Sequence, residues 1–250
     1  MEFEDQYLIK IESSENVGHP WSELPLDKAE KKFAKTYPSI YAWLTGEGRR
    51  QQLIDRTDQG RYFWELRSCS YWDDFEAPKI ILARFMNQAT YAWDDRGMYM
   101  SNGSSMIAGA DQYAVAVLNS AVAWWFLKST STDLSGGFLQ AHNYNQFSIP
   151  IPAANETQAL LAITLVNAIR QGVSRPRYER LLNGLVYELF FPEDLHAKNI
   201  HLFDACAAAG IGQGMDAAAV AQSIFHPSHT IYAQLFELQM LDVVRVIEAE

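Results

Sequence analysis

Two prolines one residue apart, in Ile149-Pro150-Ile151-Pro152, constrain this backbone more than any other stretch does. Each proline lacks an N–H and pushes the residue before it out of the helical region, so the segment must be extended. The sequence changes character across it. Before it, short apolar runs alternate with turn residues; after it, segment after segment follows helical spacing. A boundary near residues 153–156 is expected, with a mixed, sheet-containing α+β unit over 1–153 and an all-helical unit over 154–250.

In the first part, Tyr7–Ile11, Tyr62–Leu66 and Lys79–Phe85 read as strands. Tyr91–Met100 reads as a hairpin turning at Asp94-Asp95-Arg96-Gly97, where Gly97 can supply a positive φ. Lys28–Lys35 and Pro38–Leu44 read as short helices, the second with proline in its first turn. Asp111 is a plausible N-cap for a helix to about Lys128, with Val115, Leu118, Val122 and Trp125 at helical spacing. In the second part, Asn155 can cap a helix ending near Gly172. Helical patterns follow at Tyr178–Phe190, Leu202–Ala209, Asp216–Phe225 and Thr230–Glu248. There is no internal repeat or low-complexity segment.

With 48% apolar and 20% charged residues, the chain is globular in type and not disordered. Its longest apolar runs are broken by Lys128, Arg170 or Glu188, which argues against a membrane span. The start, with Glu2, Glu4 and Asp5, is the reverse of a basic signal peptide. Cys69 and Cys206 are the only cysteines and lie far apart, so a reducing cytoplasm is expected and a disulfide framework is not. The net charge of −10 weighs against nucleic acid, but it is unevenly spread. Residues 28–72 hold nine Lys and Arg against five acids, while 1–27 and 181–250 are strongly acidic. Phosphate contact needs a local positive field, not a positive total.

Several chemistries can be weighed from spacing. Gly210-Ile211-Gly212-Gln213-Gly214 could approach a nucleotide, but a helix former precedes it rather than a strand, so a helix C-cap is the better account. Asp73, Asp74, Glu76 and Lys79 resemble a nuclease set, with the wrong gap and an intervening Pro78; a solvated acidic turn is expected. The six histidines show no zinc pattern: His196 and His201 are five apart, His226 and His229 three apart. There is no Gly-x-Ser-x-Gly elbow. Trp64, Trp72, Trp93, Trp124 and Trp125 could stack on bases, although core positions suit them better. Arg67 and Arg84 each follow an apolar strand and suit guanine or phosphate, or a salt bridge. Asn87, Gln88, Gln140, His142 and Asn143 are candidate base-edge readers in connecting segments.

Taken in order, Tyr62-Phe63-Trp64-Glu65-Leu66-Arg67, Pro78-Lys79-Ile80-Ile81, Gly97-Met98-Tyr99, Leu118-Asn119-Ser120, Gly136-Gly137-Phe138 and Ile149-Pro150-Ile151-Pro152 form a recognisable set. The set resembles the TaqI-like C-terminal specificity domain of adenine-specific DNA methyltransferases and fused type II restriction–modification enzymes. The likeness covers residues 6–152, and more loosely Leu181–Leu189 and Phe191-Pro192-Glu193. It implies a target-recognition module that grips double-stranded DNA, with Arg67, Arg84, Asn87, Gln88, Gly136, Gly137, Gln140, His142 and Asn143 as candidate contacts. It also implies a partner: an N-terminal methyltransferase region, with or without a nuclease, that binds S-adenosylmethionine and methylates a flipped adenine. This chain lacks the family's Asn-Pro-Pro-Tyr tetrad, so neither catalysis nor a cofactor is expected of it alone. Two further departures stand out. Gln140 occupies a place where the family often has Arg, and a Gly-Arg-Asp-Ile-Lys-Arg-Tyr-like segment upstream of Tyr7 is missing, which makes Met1 an expected truncation point. The rival expectation is a non-catalytic structural or protein-interaction domain, which the acidic charge favours; a weaker third is an independent catalytic domain.

Overall fold

The structure, a computed structural model, describes residues 6–100 and 103–249. Glu2, Glu4 and Asp5 of the acidic start lie outside them. The fold is mixed α+β, with many helices and two small three-stranded sheets. Two compact units divide the chain, Glu2–Glu76 and Ala77–Glu250.

The first unit contains α1 (Leu26–Thr36), α2 (Pro38–Thr45), α3 (Arg49–Ile54) and α4 (Trp72–Glu76). The helices expected around Lys28–Lys35 and Pro38–Leu44 are present, and Pro38 opens the second. The strands expected at Tyr7–Ile11 and Tyr62–Leu66 are not. Tyr62–Glu65 is instead a turn, closed by the Glu65 N–H donating to the Tyr62 carbonyl at 2.9 Å. All four of its residues are buried, whereas a half-buried strand would turn alternate side chains outward. The rings of Phe33 and Tyr62 both stack on Trp64, at 5.0 and 4.9 Å. Glu65 sits fully buried because its carboxylate accepts from the Trp21 indole N–H (2.9 Å), the Ser14 amide (3.0 Å) and the Ser14 hydroxyl. A buried carboxylate is tolerated when donors surround it in this way. Tyr7–Ile11 contributes one backbone bond, from the Leu66 N–H to the Ile11 carbonyl at 2.8 Å.

The second unit opens with β1 (Lys79–Ala83), β2 (Phe85–Met86), β3 (Tyr91–Asp94) and β4 (Ser104–Ala108). β1 is the central strand of an antiparallel sheet, between β3 and β4. The strand expected over Lys79–Phe85 is broken at Arg84, so that β2 joins a different sheet. The expected Tyr91–Met100 hairpin is only half formed. Gly97 does take a positive φ of 68°, but residues 97–100 do not return along β3, whose partner is β1. The Asp94 carboxylate takes over the turn, accepting from the amides of Arg96 (3.0 Å) and Met98 (2.8 Å). It also meets Lys79 Nζ at 2.5 Å, and both side chains are fully buried.

The helix expected from Asp111 is capped there, the Asp111 side chain accepting from the Ala114 N–H at 3.0 Å. It stops at Asn119 and resumes, giving α5 (Gln112–Leu118) and α6 (Ala121–Thr130). Asn119 causes the break. Its side-chain oxygen accepts from the Tyr91 N–H (3.0 Å) and its amide nitrogen donates to the Tyr91 carbonyl (2.8 Å), standing in for a missing strand partner. Then come β5 (Thr132–Asp133), β6 (Leu139–Gln140) and α7 (Asn143–Phe147). The helical remainder comprises α8 (Glu156–Arg170), α9 (Arg175–Phe190), α10 (Pro192–His196), α11 (Leu202–Ala208), α12 (Ala217–Ile224), α13 (Thr230–Leu238) and α14 (Asp242–Glu248). Asn155 caps α8 as expected, in a reciprocal box with Gln158 at 3.0 Å. The long Thr230–Glu248 pattern splits into α13 and α14 around Gln239-Met240.

The junction expected at 153–154 is not where the units divide. One apolar core runs from Ile80 and Leu82 through Leu165, Leu181 and Leu185 to Leu235 and Ile247. Polar bonds also cross the expected boundary: Gln112 donates to Asn167 (2.7 Å), and Asn183 accepts the first amide of α6 (2.7 Å). The prolines do keep 150–155 free of helix and strand, but the helices beyond them complete the core that the sheet begins.

Two outcomes follow from this packing. Asp94→Asn leaves the buried Lys79 facing a neutral amide, and denaturant unfolding should show a loss of about 3–5 kcal/mol. Burial raises the Asp94 carboxyl, but hydrogen bonds from Lys79 and from the Arg96 and Met98 amides outweigh it and hold the group below its ordinary value. Its stabilisation is therefore complete above the unfolded-state carboxyl range of about 4 and is lost as pH falls through the folded value. Acidification from neutral pH should cost the parent protein more stability than Asp94→Asn. The second outcome concerns Gly184, in the middle of α9. A Cβ there would meet Leu202 Cδ1 at 2.7 Å and Leu235 Cδ2 at 2.8 Å, both in fully buried side chains. Gly184→Ala gains about 1 kcal/mol of helix propensity. Overpacking costs about 1–3 kcal/mol, so the expected result by thermal denaturation is a net loss.

Candidate nucleic-acid interface

The second small sheet gathers most of the residues that the sequence singled out. β6 is its middle strand, pairing antiparallel with β5 (Thr132↔Gln140, Asp133↔Leu139) and with β2 (Phe85↔Gln140, Met86↔Leu139). Facing residues on antiparallel strands share a side of the sheet. Met86 and Leu139 turn inward and are buried, which leaves Phe85, Gln140 and Thr132 on the outer side. The β5–β6 connection closes with the Leu134 N–H donating to the Phe138 carbonyl at 2.7 Å. Gly136 and Gly137 form its tip with φ of 80° and 76°, a left-handed pair that residues bearing a Cβ adopt only at a cost. Leu134 and Phe138, on either side of the glycines, are exposed.

α7 presents its polar and aromatic residues by burying two amides. Asn145 donates to the Thr130 carbonyl (2.6 Å) and accepts from the His142 N–H (3.1 Å). Gln146 donates to the Ala141 carbonyl (2.9 Å) and accepts from the Tyr91 hydroxyl (3.1 Å). Burial holds that hydroxyl well above the usual phenol range, so it remains a donor. With Asn145 and Gln146 pinned inward, Tyr144 and Phe147 are 67% and 65% exposed, so neither belongs to the core. The His142 ring stacks on Tyr144, centroids 5.5 Å apart. Asn143 is exposed; His142 and Gln140 are half-buried.

Arg84 leaves the end of β1 beside this sheet, its guanidinium 5.9 Å from the Phe85 ring centre. Its backbone N–H donates to the Gly103 carbonyl at 3.1 Å. It makes no salt bridge among the described residues, so its cation is not spent on a neighbouring acid. Asn87 and Gln88 follow β2 and are exposed. Arg84, Asn87, Gln88, Gly136, Gly137, Gln140, His142 and Asn143 thus all border or belong to one three-stranded sheet and its flanking turns. Arg67 belongs to the other unit, where it is exposed and makes no salt bridge among the described residues.

That other unit holds the basic segment, and much of its charge is used internally. Arg50 pairs with Glu30 (3.0 Å) and Arg49 with Glu47 (2.8 Å), while Arg56 donates to the Phe63 and Glu65 carbonyls. The lysines of α1 are different. Lys28, Lys31, Lys32 and Lys35 are all exposed at helical spacing, opposite the buried Ala29 and Phe33, and none forms a salt bridge among the described residues. They make a stripe about two turns long.

Other candidates resolve differently. Gly210 caps α11 with φ of 68°, and the Gly210 and Ile211 N–H groups donate back to Ala207 and Cys206 carbonyls at 3.1 Å, a Schellman cap. Lys79 is committed to Asp94 and so does not serve a nuclease set; the expected turn at Asp73, Asp74 and Glu76 is the short helix α4. Trp64 is core, and Trp93, Trp124 and Trp125 pack against the core of the second unit. The exposed aromatics at the second sheet and its flanking turns are Phe85, Phe138, Tyr144 and Phe147, none of them a tryptophan. The run Asn143-Tyr144-Asn145-Gln146-Phe147, with its aromatics three apart, held the available signal. No protein-family model matches the chain, and no curated protein matches it.

This layout predicts a sharp contrast in stability between neighbours. Tyr144→Ala and Phe147→Ala should stay within about 0.5 kcal/mol of the parent in chemical denaturation. Asn145→Ala and Gln146→Ala orphan buried carbonyl or hydroxyl partners and should lose about 1–3 kcal/mol each.

Proposed function

We propose that the chain is the DNA target-recognition module of an adenine-N6-specific DNA methyltransferase of the fused type II restriction–modification kind. One observation carries this reading: the eight candidate contacts of the second unit gather at one small sheet and its turns, among amide, cationic and aromatic groups. The ordered motifs shared with the TaqI-like specificity domain support it as well. In this reading Gln140, Asn87, Gln88 and Asn143 offer amides that suit adenine edges, and Arg84 suits guanine. The glycine tip at Gly136-Gly137 can approach the duplex closely. The α1 lysines, with Arg67, offer positive charge to phosphates, which positions the module without reading sequence. S-adenosylmethionine and the methyl transfer belong to a methyltransferase region outside this chain. Cysteines that are both free and buried agree with a cytoplasmic setting, and no helix among the described residues is long and apolar enough to cross a membrane.

A structural or protein-interaction role is the second reading. The exposed Phe85, Leu134, Phe138 and Phe147 favour it, since clustered apolar side chains often mark protein contacts. So does the net charge of −10.

Methylation of cognate and near-cognate duplexes by the protein carrying this region separates the two. Arg84→Ala and Gln140→Ala should each lose about 1–3 kcal/mol of discrimination between those duplexes. Lys28→Ala and Lys32→Ala should instead weaken binding to all sequences alike and flatten the salt dependence by about one unit per lost phosphate contact. Unchanged specificity and salt slope in all four variants would discard DNA reading by these residues and favour the interaction domain.

A further inference from the structure

Glu188, His196 and His201 lie on three successive elements of the second unit and converge on one point. Glu188 belongs to α9, His196 ends α10, and His201 is the residue immediately before α11. The turn between the histidines doubles back sharply. Asn199 adopts a left-handed φ of 56°, and the Ile200 N–H donates to the Leu195 carbonyl at 3.0 Å, which brings His201 onto His196. Their rings stack with centroids 4.4 Å apart. One ring nitrogen from each and a carboxylate oxygen of Glu188 all lie within 4.8 Å of one another. Nothing in the His-x-x-x-x-His spacing announces this, because the third donor comes from eight residues upstream.

We propose that Glu188, His196 and His201 form a binding site for a divalent transition-metal ion, with Zn²⁺ the best fit. Two imidazoles and one carboxylate are a donor set that zinc accepts, and three protein ligands leave a fourth position open. That position faces the exposed side, since His196 is 44% exposed while the Glu188 side chain is only 8% exposed. Support from behind the ligands is also in place. The second carboxylate oxygen of Glu188 accepts the Phe203 N–H at 3.0 Å, leaving the first oxygen, 3.0 Å from His196 Nε2, directed at the histidines. The His201 N–H donates to Gln234 Oε1 at 3.0 Å, which ties the site to α13. Ligands held by such outer bonds need little rearrangement to take up a metal. The ion would join α9 to the α10–α11 turn and staple the helical region. This inference is independent of the DNA reading.

Calorimetric titration of the whole chain with ZnCl₂, and its thermal midpoint with and without the metal, test the site. One equivalent should bind, with a rise in the midpoint. His196→Ala and His201→Ala should each weaken binding at least ~10-fold and abolish the rise. His196 is exposed and His201 half-buried, so both variants should fold, as circular dichroism would check. His226→Ala, at the His226–Ser228–His229 turn and outside the three-residue cluster, should bind as the parent does. Absence of one-to-one binding would overturn the proposal. So would unchanged affinity in both histidine variants, or loss of binding in His226→Ala.

Discussion

The fully buried pair of Lys79 and Asp94 sets the geometry on which the second unit depends. The two residues face one another across β1 and β3, and a slip of one residue would set Lys79 against Trp93 or Asp94 against Ile80. Once that register is set, Ile80, Trp93 and Ile107 align on the face that packs on the main core. Arg84 is then placed just beyond the end of β1, and Phe85 crosses into the smaller sheet beside Gln140. A buried charge pair is a modest source of stability but a strong penalty on wrong alignments. The position of the candidate contact surface is thus inherited from a pair of residues that take no part in it.

Polar side chains act as backbone partners throughout the chain where strands or helices end. Asn119 completes the hydrogen bonding of Tyr91, Asn183 receives the first amide of α6, and Asn145 and Gln146 anchor α7. Glu65 does the same for the first unit, gathering Ser14 and Trp21 beneath a stack of aromatic rings. Short elements need such anchors because few ladder bonds hold them. The same device leaves the outward side chains of α7 and β6 free of structural duties, which is why a surface rich in amides and aromatics can exist there at little cost.

Helix positions were largely legible from sequence because they are marked locally. Pro38, Asp111, Asn155 and Asp216 sit at helix starts, and the glycine run after α11 proved to be a cap. A periodic apolar pattern and a capping side chain act within one turn, so neighbouring residues contain the needed information. The eight candidate contacts were legible as residue types with suitable hydrogen-bonding groups, and the glycine tip as a turn. Their gathering at one sheet was not, because β2, β5 and β6 are only two residues long and carry no pattern of their own.

What the sequence determined alone was local: the extended proline segment, the capped helices, the basic stripe at helical spacing on α1, and the mixed α+β class. Tertiary structure decided everything that depended on a distant partner. Tyr62–Leu66 has strand-forming residues but became a buried turn, because Trp64 and Glu65 found partners in Phe33, Trp21 and Ser14. The proline segment divided two kinds of secondary structure without dividing two cores, because the apolar faces of α5, α8 and α9 bury more surface together than apart. Glu188 met His196 and His201 only because Asn199 turns the chain back between helices. Propensity and capping are settled among near neighbours in the chain, whereas burial and ligand convergence require residues far apart in sequence to meet in space.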